Sequence, residues 1–309
     1  MTEADLYDIE HPSGHRSGFV AVIGRPNVGK STLINYLVGQ KVAIVSPKPQ
    51  TTRNRILGIL TREDVQAIFV DTPGLHRPLH KLGKAMVATA TQAVPDADVV
   101  LFMVDVSSSP NSADRMIADL IREQAKAPVI LVLNKMDLLP ADKVKPHTEA
   151  YWDLVPDRRA WMMTTATKGE NLDKLLDLIV DSLPEGPPYY PGDQVTDQTE
   201  RDIAAELIRE QVLRHTRQEV PHAVAVVVEE FKEQESGVFF ISANVFVEKR
   251  SQKGIIIGRK GQMLREIGSV ARQEIERMVG GRVYLDLWVK VRKDWRQDET
   301  ELRRLGYDV

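Results

Sequence analysis

Apolar positions along the chain follow two regimes that meet at a proline-rich break. Before the break, residues 19–23, 99–106 and 129–133 are short, near-continuous apolar runs. Such runs suit strands covered on both faces, as in a parallel α/β sheet. Residues 56–60 and 65–70 are two further apolar, alternating runs, and Arg62, Glu63 and Asp64 between them predict a hairpin turn. Helical spacing marks 32–37, 82–94, 113–124 and 171–183. The stripe of Leu172, Leu175, Leu176, Ile179 and Leu183 in the last of these is core packing. Residues 161–166 read as a final strand before it. The break itself, 183–193, holds four prolines and two glycines, which forbid helix and central strand and predict a semi-rigid linker. Beyond it, 199–217 reads as an amphipathic helix with Ile203, Leu207, Ile208 and Val212 on one side. Residues 224–228 and 238–247 are strand-like, 263–278 helical, and 282–291 alternates as a last strand. The expected division is a first domain at 16–184, a linker at 185–198 and a second domain at 199–309.

Length agrees, since 309 residues suffice for two domains at about 100–200 residues each. The absence of cysteine excludes disulfides and thiolate-bound zinc and suits a reducing cytosol. Residues 1–17 lack the apolar core of a signal peptide, and no apolar run approaches the ~20 residues that span a bilayer. A soluble or at most membrane-peripheral protein is therefore expected. The net charge of −3 argues against a uniformly basic nucleic-acid binder, but it hides an asymmetry. Between 248 and 296 there are thirteen Lys and Arg against six Asp and Glu, a local excess of +7. That is the electrostatic footprint of a phosphate-backbone binder.

The first apolar run leads into Gly24-Arg25-Pro26-Asn27-Val28-Gly29-Lys30-Ser31, followed by Thr32 and a helical pattern. Strand, glycine loop and helix in this order aim backbone N–H groups and a helix N-terminus at one point, where a polyphosphate fits. Lys30 would reach the β- and γ-phosphates and the Ser31 hydroxyl would ligate magnesium. A glycine-rich turn would look the same in isolation, so the rest of the chain must decide. It carries a Pro- and Thr-bearing loop over 41–54, then Asp71-Thr72-Pro73-Gly74 at the end of a strand. Asp71 can bind magnesium through water, and the Gly74 N–H can meet a γ-phosphate. The run at 129–133 ends in Asn134-Lys135-Met136-Asp137. A carboxylate offers two acceptors side by side; guanine presents the matching N1–H and N2–H₂ donors, and adenine has no such pair. Asp137 thus selects GTP over ATP, while Asn134 can reach N7 or O6 and the Lys135 stem can cover the base.

These motifs, in this spacing, resemble the Era-like branch of translation-factor-class GTPases. The resemblance implies a six-stranded, mostly parallel sheet with helices on both faces and GTP or GDP at the carboxyl ends of its strands. It makes Thr52, with Thr51 as the alternative, the switch threonine that sees magnesium and the γ-phosphate. Thr165 and Ala166 stand where this branch usually has Ser-Ala against guanine O6. Leu75 stands where Ras-like GTPases carry a water-orienting glutamine, so that device is missing and slow intrinsic hydrolysis is expected. Asn27 matches a P-loop asparagine that ligates potassium in some relatives; bracing the loop is the alternative.

After the break, helix, strand, strand, helix, Gly258-Arg259-Lys260-Gly261, helix and strand resemble the KH RNA-binding domain, an α+β fold, in its prokaryotic (type II) arrangement. Two glycines let a nucleic-acid backbone approach, and Arg259 and Lys260 meet phosphates. Bases would lie along an apolar groove beside Ile255, Ile256 and Ile257, with Lys253 nearby. Trp288 is expected to be structural, and Trp295 either core or a stacking surface. Together the two parts resemble the Era family over residues 16–307. What that implies is a GTPase that binds single-stranded RNA at the 3′ end of 16S ribosomal RNA and acts as a switch in small ribosomal subunit assembly. A cytoplasmic monomer is expected. Peripheral membrane association belongs to the family, and no residue here argues for it. An RNA chaperone whose nucleotide only supports the fold is the alternative reading.

Overall fold

The computed structural model describes residues 14–75, 78 and 80–307. Six strands form the first sheet: β1 (Arg16–Ile23), β2 (Ile56–Thr61), β3 (Val65–Asp71), β4 (Val99–Asp105), β5 (Val129–Asn134) and β6 (Ala160–Thr164). Their order is β2-β3-β1-β4-β5-β6, all parallel except β2, which pairs antiparallel with β3 through the expected hairpin. The continuous apolar runs are explained by burial on both faces. Val20 and Val22 of β1 pack with α1 (Lys30–Val38) and α5 (Leu172–Val180), whereas Ala21 and Ile23 face the opposite cluster. That second cluster includes α2 (Lys81–Gln92), α3 (Ser112–Gln124) and α4 (Val144–Trp152). No expectation covered α4, whose single deep apolar anchor is Tyr151; its hydroxyl meets Asp105 O and Ser108 O, each at 3.1 Å.

The proline-rich stretch is not a free spacer. A chain without helix or strand must find most of its partners elsewhere, and this one finds them on the first domain. Ser17 N donates to Pro184 O at 3.1 Å and Ile59 N to Val195 O at 2.9 Å. Fully buried Gln66 accepts from Tyr189 N and Tyr190 N at 2.7 and 2.9 Å and donates to Tyr190 O at 2.8 Å. The expected semi-rigid linker is therefore a strap fastened to β1, β2 and β3.

In the second part, α6 (Glu200–His215) and α8 (Gln262–Val279) cover one face of a sheet ordered β7-β8-β9. Here β7 (Ala225–Glu233) runs antiparallel to β8 (Phe239–Val247), and β9 (Val283–Val291) runs parallel to it. Short α7 (Arg250–Ile257) precedes the glycine loop. Odd positions of β9 turn to the helices, so Trp288 is not structural core as expected: it is 59% exposed on the opposite face, its indole donating to Asp286. Trp295 is core. It stacks on Tyr307 beyond α9 (Glu299–Arg304), and both join Leu82 and Met86 of α2 in one cluster between the two parts.

Replacing Gln66 by Leu would strand two N–H groups and one carbonyl, at about 1–3 kcal/mol per buried group before relaxation. Gln66→Leu should lower unfolding free energy by about 2–4 kcal/mol in urea titrations. Limited proteolysis should open at 184–198 first.

Candidate functional site

β1 delivers Gly24 against β4 so tightly that a Cβ there would lie 2.2 Å from Met103 O. Gly29 has φ 111°, and a Cβ there would meet Asn134 Nδ2 at 2.4 Å. Both positions thus require glycine, one for space and one for conformation as well. The loop ends at the N-terminus of α1, whose first-turn N–H groups face the cleft formed by Asn27, Lys30, Ser31, Thr52 and Gly74. Lys30 is buried and donates to Gly24 O and Arg25 O at 3.2 and 3.1 Å. Burial brings its pKa down to about 8, against the opposing pull of Asp71. Thr32 follows in the first turn of α1, and Val28 packs into the core. The Arg25 side chain turns from the cleft to buried Asp114 on α3, Nε to Oδ1 at 2.6 Å.

Three oxygens meet at the end of β3. Ser31 Oγ lies 2.7 Å from Asp71 Oδ2 and 2.9 Å from Thr52 Oγ1, and Thr52 donates to Asp71 at 3.1 Å. Thr51 instead donates to Lys48 O at 2.7 Å. Asp71 is wholly buried; burial raises its pKa, opposed by Lys30 and the two hydroxyls. Its Oδ1 has no hydrogen-bond partner among the described residues. Two hydroxyls and a carboxylate with an unused buried oxygen form a hard, all-oxygen donor set that fits magnesium with its retained waters. Asn27, with φ 63°, donates Nδ2 to Pro47 O at 2.9 Å and so joins the glycine loop to the 39–55 loop.

After Asp71 the chain folds back on the glycine loop. Thr72 Oγ1 donates to Val22 O at 2.8 Å, and a Cβ on Gly74 would come within 2.5 Å of Pro26 N. Pro73 lies between them. Leu75 donates its N–H to Gly24 O at 3.2 Å and buries its side chain among Ile23, Val94 and Phe102. It cannot turn a water.

At the base end, Asn134 is buried and already engaged on both sides of its amide. Its Nδ2 donates to Val28 O at 2.7 Å, while Oδ1 accepts from Thr164 Oγ1 at 3.1 Å and from the Ala166 N–H at 3.0 Å. The side chain braces the glycine loop against β6 with one Nδ2 hydrogen and Oδ1, and its second Nδ2 hydrogen remains to donate to the expected N7 or O6. It also engages the N–H expected to face O6. Thr165 Oγ1 is buried without a partner among the described residues. Asp137 sits beside Lys168 at 3.3 Å. Lys135, with φ 64°, lies along the rim with Nζ 2.6 Å from Asp105. Burial alone would raise Asp105, but hydrogen bonds from Lys135 and Ser107 win and lower its pKa. Neither Asp105 nor Lys168 was singled out from the sequence, although both lie in strand-end turns.

In the second part, α7 stops at Gly258, where φ is 70° and a Cβ would strike Met263 Cβ at 2.6 Å. Gly261, φ 77°, starts α8. Arg259 and Lys260 are exposed between them. The adjoining groove, about 300 Å³, is lined by Leu264, Arg265, Gly268, Arg272, Leu285 and Leu287. Its walls are α8 and β9. Ile256 is fully buried in the core because helical spacing turns it inward; Ile255 is half exposed and Ile257 half buried. Lys253 is half buried on α7.

Sequence comparison places this geometry. Residues 19–135 match the family model described as 50S ribosome-binding GTPase, and residues 219–296 match the KH domain. A P-loop GTPase joined to a KH domain is the class that fold and site define. The chain is 50% identical over 296 residues to the GTPase Era of Heliobacterium modesticaldum, covering 95% of this chain and 97% of that one. It is 49% identical to the GTPase Era of Halothermothrix orenii, covering 95% and 99%. It also resembles a crystal structure of Era in complex with MgGDPNP and nucleotides 1506–1542 of 16S ribosomal RNA. There the TM-score is 0.92 at 43% identity, with 96% of this chain and 100% of that one covered. A point variant of Aquifex aeolicus Era bound to GDP.AlF4− gives 0.91 at 43% identity, covering 95% and 100%. The chain belongs to the Era family of GTPases.

Two outcomes follow from this geometry. Leu75→Gln would bury an amide in an apolar cluster, so it should cost about 1–3 kcal/mol of stability and leave GTP turnover no higher than the parent. Calorimetry tests Lys30. With its pKa near 8, Lys30 in the free site has lost more than half its proton at about pH 8.5, and phosphate anions restore it. GDP binding should take up a proton there, seen as a buffer-dependent enthalpy, and should take up almost none at about pH 7. Equal uptake at both would exclude the assignment.

Proposed function

We propose that this GTPase binds the single-stranded 3′ end of 16S ribosomal RNA through residues 199–309. Its first domain, 16–184, joined by 185–198, hydrolyses GTP to time release from the small ribosomal subunit. The observation that carries the reading is one chain holding a P-loop with the guanine-selecting Asp137 beside it and a basic groove beside a two-glycine loop. The RNA and nucleotide present in the related Era structure support it; the large-subunit wording of the first-domain family model describes a broader group.

In this reading Gly24 to Thr32 cradle the phosphates, Lys30 meets the β- and γ-phosphates, and Thr72 to Leu75 close the loop behind them. Ser31, Thr52 and Asp71 hold magnesium, which supplies charge neutralisation on the transferring phosphoryl group. Gly74 offers its N–H to the γ-phosphate, and no side chain at position 75 orients the water. Asp137 reads the guanine edge, Lys135 covers the base and the Thr165–Ala166 turn flanks O6, with Asn134 bracing them. Asn27 spends Nδ2 on Pro47 O, leaving Oδ1 as the atom on offer to potassium. Lys253, Ile255, Ile257 and the loop from Gly258 to Gly261 take the RNA backbone, and the α8–β9 groove takes its bases. A cytoplasmic monomer is sufficient for all of this. Among the described residues no helix is long and apolar enough to cross a membrane.

GTP turnover with an RNA carrying the small-subunit 3′ end, against an A-rich control, tests the reading. The specific RNA alone should raise turnover. A double substitution, Arg259→Ala with Lys260→Ala, should weaken its binding about tenfold and flatten the salt dependence. Equal binding of both RNAs with no change in turnover would favour the RNA chaperone instead.

A further inference from the structure

The residues flanking Thr52 are held by the second domain, while the Thr52 hydroxyl turns the other way. Thr51 O accepts from Arg209 Nη2 of α6. Buried Arg53 donates through Nη1 to Val224 O at 2.6 Å and to Tyr307 Oη at 2.9 Å, and through Nη2 to Pro221 O and His222 O, both at 3.2 Å. Its guanidinium lies 5.8 and 5.9 Å from the ring centroids of Trp295 and Tyr307. Asn54 Nδ2 donates to Gly306 O at 2.8 Å. Upstream in the same loop, Lys41 pairs with buried Glu210 and with Glu274, Val45 N donates to Glu210 at 3.1 Å, and Ile44 packs into the core of the second domain.

Residues 39–55 contain neither helix nor strand. A segment without a ladder of its own cannot hold one hydroxyl against a second hydroxyl and a carboxylate unless something outside it bears the ordering entropy. Here Thr51 O, the Arg53 guanidinium and the Asn54 amide all find such support beyond the linker. We infer that Arg53 is a positioning residue for GTP hydrolysis: through it, Arg209 and the tail at 306–307, the second domain sets where Thr52 stands at the metal site. The inference rests on Thr52 being the magnesium and γ-phosphate threonine. Coupling of this kind is reciprocal. An event that lifts the second domain withdraws Thr52, and a metal that holds Thr52 favours docking of the second domain.

The Arg53 partners are three backbone carbonyls and a phenol rather than a carboxylate, and Nε has no partner among the described residues. The contact is thus specific in geometry yet lacks the charge pairing that would make it permanent.

The test uses the full chain with Arg53→Ala, Arg53→Lys, Tyr307→Phe, Thr52→Ala and the Thr52→Ala/Arg53→Ala double variant. Magnesium titrations of GTP turnover are read beside GDP affinity, which depends on groups remote from the anchor. Arg53→Ala should raise the half-saturating magnesium about tenfold and lower kcat by a similar factor, with GDP affinity held to about twofold. Arg53→Lys and Tyr307→Phe should fall between this variant and the parent. The double variant should be no worse than Thr52→Ala alone, because both act through one hydroxyl. Parent-like kinetics in Arg53→Ala, beside a severe loss in Thr52→Ala, would overturn the anchoring. Parent-like kinetics in Thr52→Ala would instead overturn the metal assignment beneath it. Should Arg53→Ala fail to bind GDP, Tyr307→Phe, which keeps the ring, decides by the same magnesium titration.

Discussion

A carboxylate with no exposed surface, Asp71, is the constraint around which the first domain is arranged. Such a group is costly to bury unless charge and hydrogen bonds converge on it. They do so from two directions: Lys30 and Ser31 where the glycine loop enters α1, and Thr52 from the 39–55 loop. Each of those segments is then fixed by something further out. Asn134 braces the glycine loop from β5, and Gly74 lets the chain after β3 lie against Pro26. The sheet order brings the ends of β1, β3 and β5 to one edge, where ligands of open α/β sheets bind.

Much of this was legible in the residues. Strands buried on both faces announce themselves as unbroken apolar runs, and each glycine of the loop answers to a contact or a dihedral that no other residue allows. What escaped depends on long-range geometry. Asn134 reads as a base contact in a linear motif, and nothing local announces that one Nδ2 hydrogen and Oδ1 also brace the glycine loop against β6 and the turn after it. The buried polar side of α6 is a second case. Arg209, Glu210 and Gln211 look like solvated helix residues, but Glu210 takes Lys41 and Val45 N, and Arg209 takes Thr51 O and Glu206. Local pattern cannot announce a polar interface between domains, because its residues resemble ordinary surface. Trp288 failed in the opposite sense: its alternation was correct, but which face of β9 was covered depended on where α8 packed.

The second domain contributes twice, by its two-glycine loop and by its other side. The groove of α8 and β9 lies on one side of the sheet's helical layer, whereas Trp295, Tyr307 and the 221–224 turn meet the first domain. The groove shares α8 with the domain contact, since Glu274 pairs with Lys41, but none of the groove-lining residues makes that contact.

The strap at 184–198 has one more physical consequence. β2 lies at the end of the six-stranded order, and a bare edge strand offers unpaired N–H and C=O groups to any other chain. Ile59 N is taken by Val195 O, Leu57 N by Asp197, and Gly58 bridges to Thr196. The segment that joins the domains therefore also covers the β2 edge against pairing with another chain, and a first domain cut free at its own last helix would lose that cover.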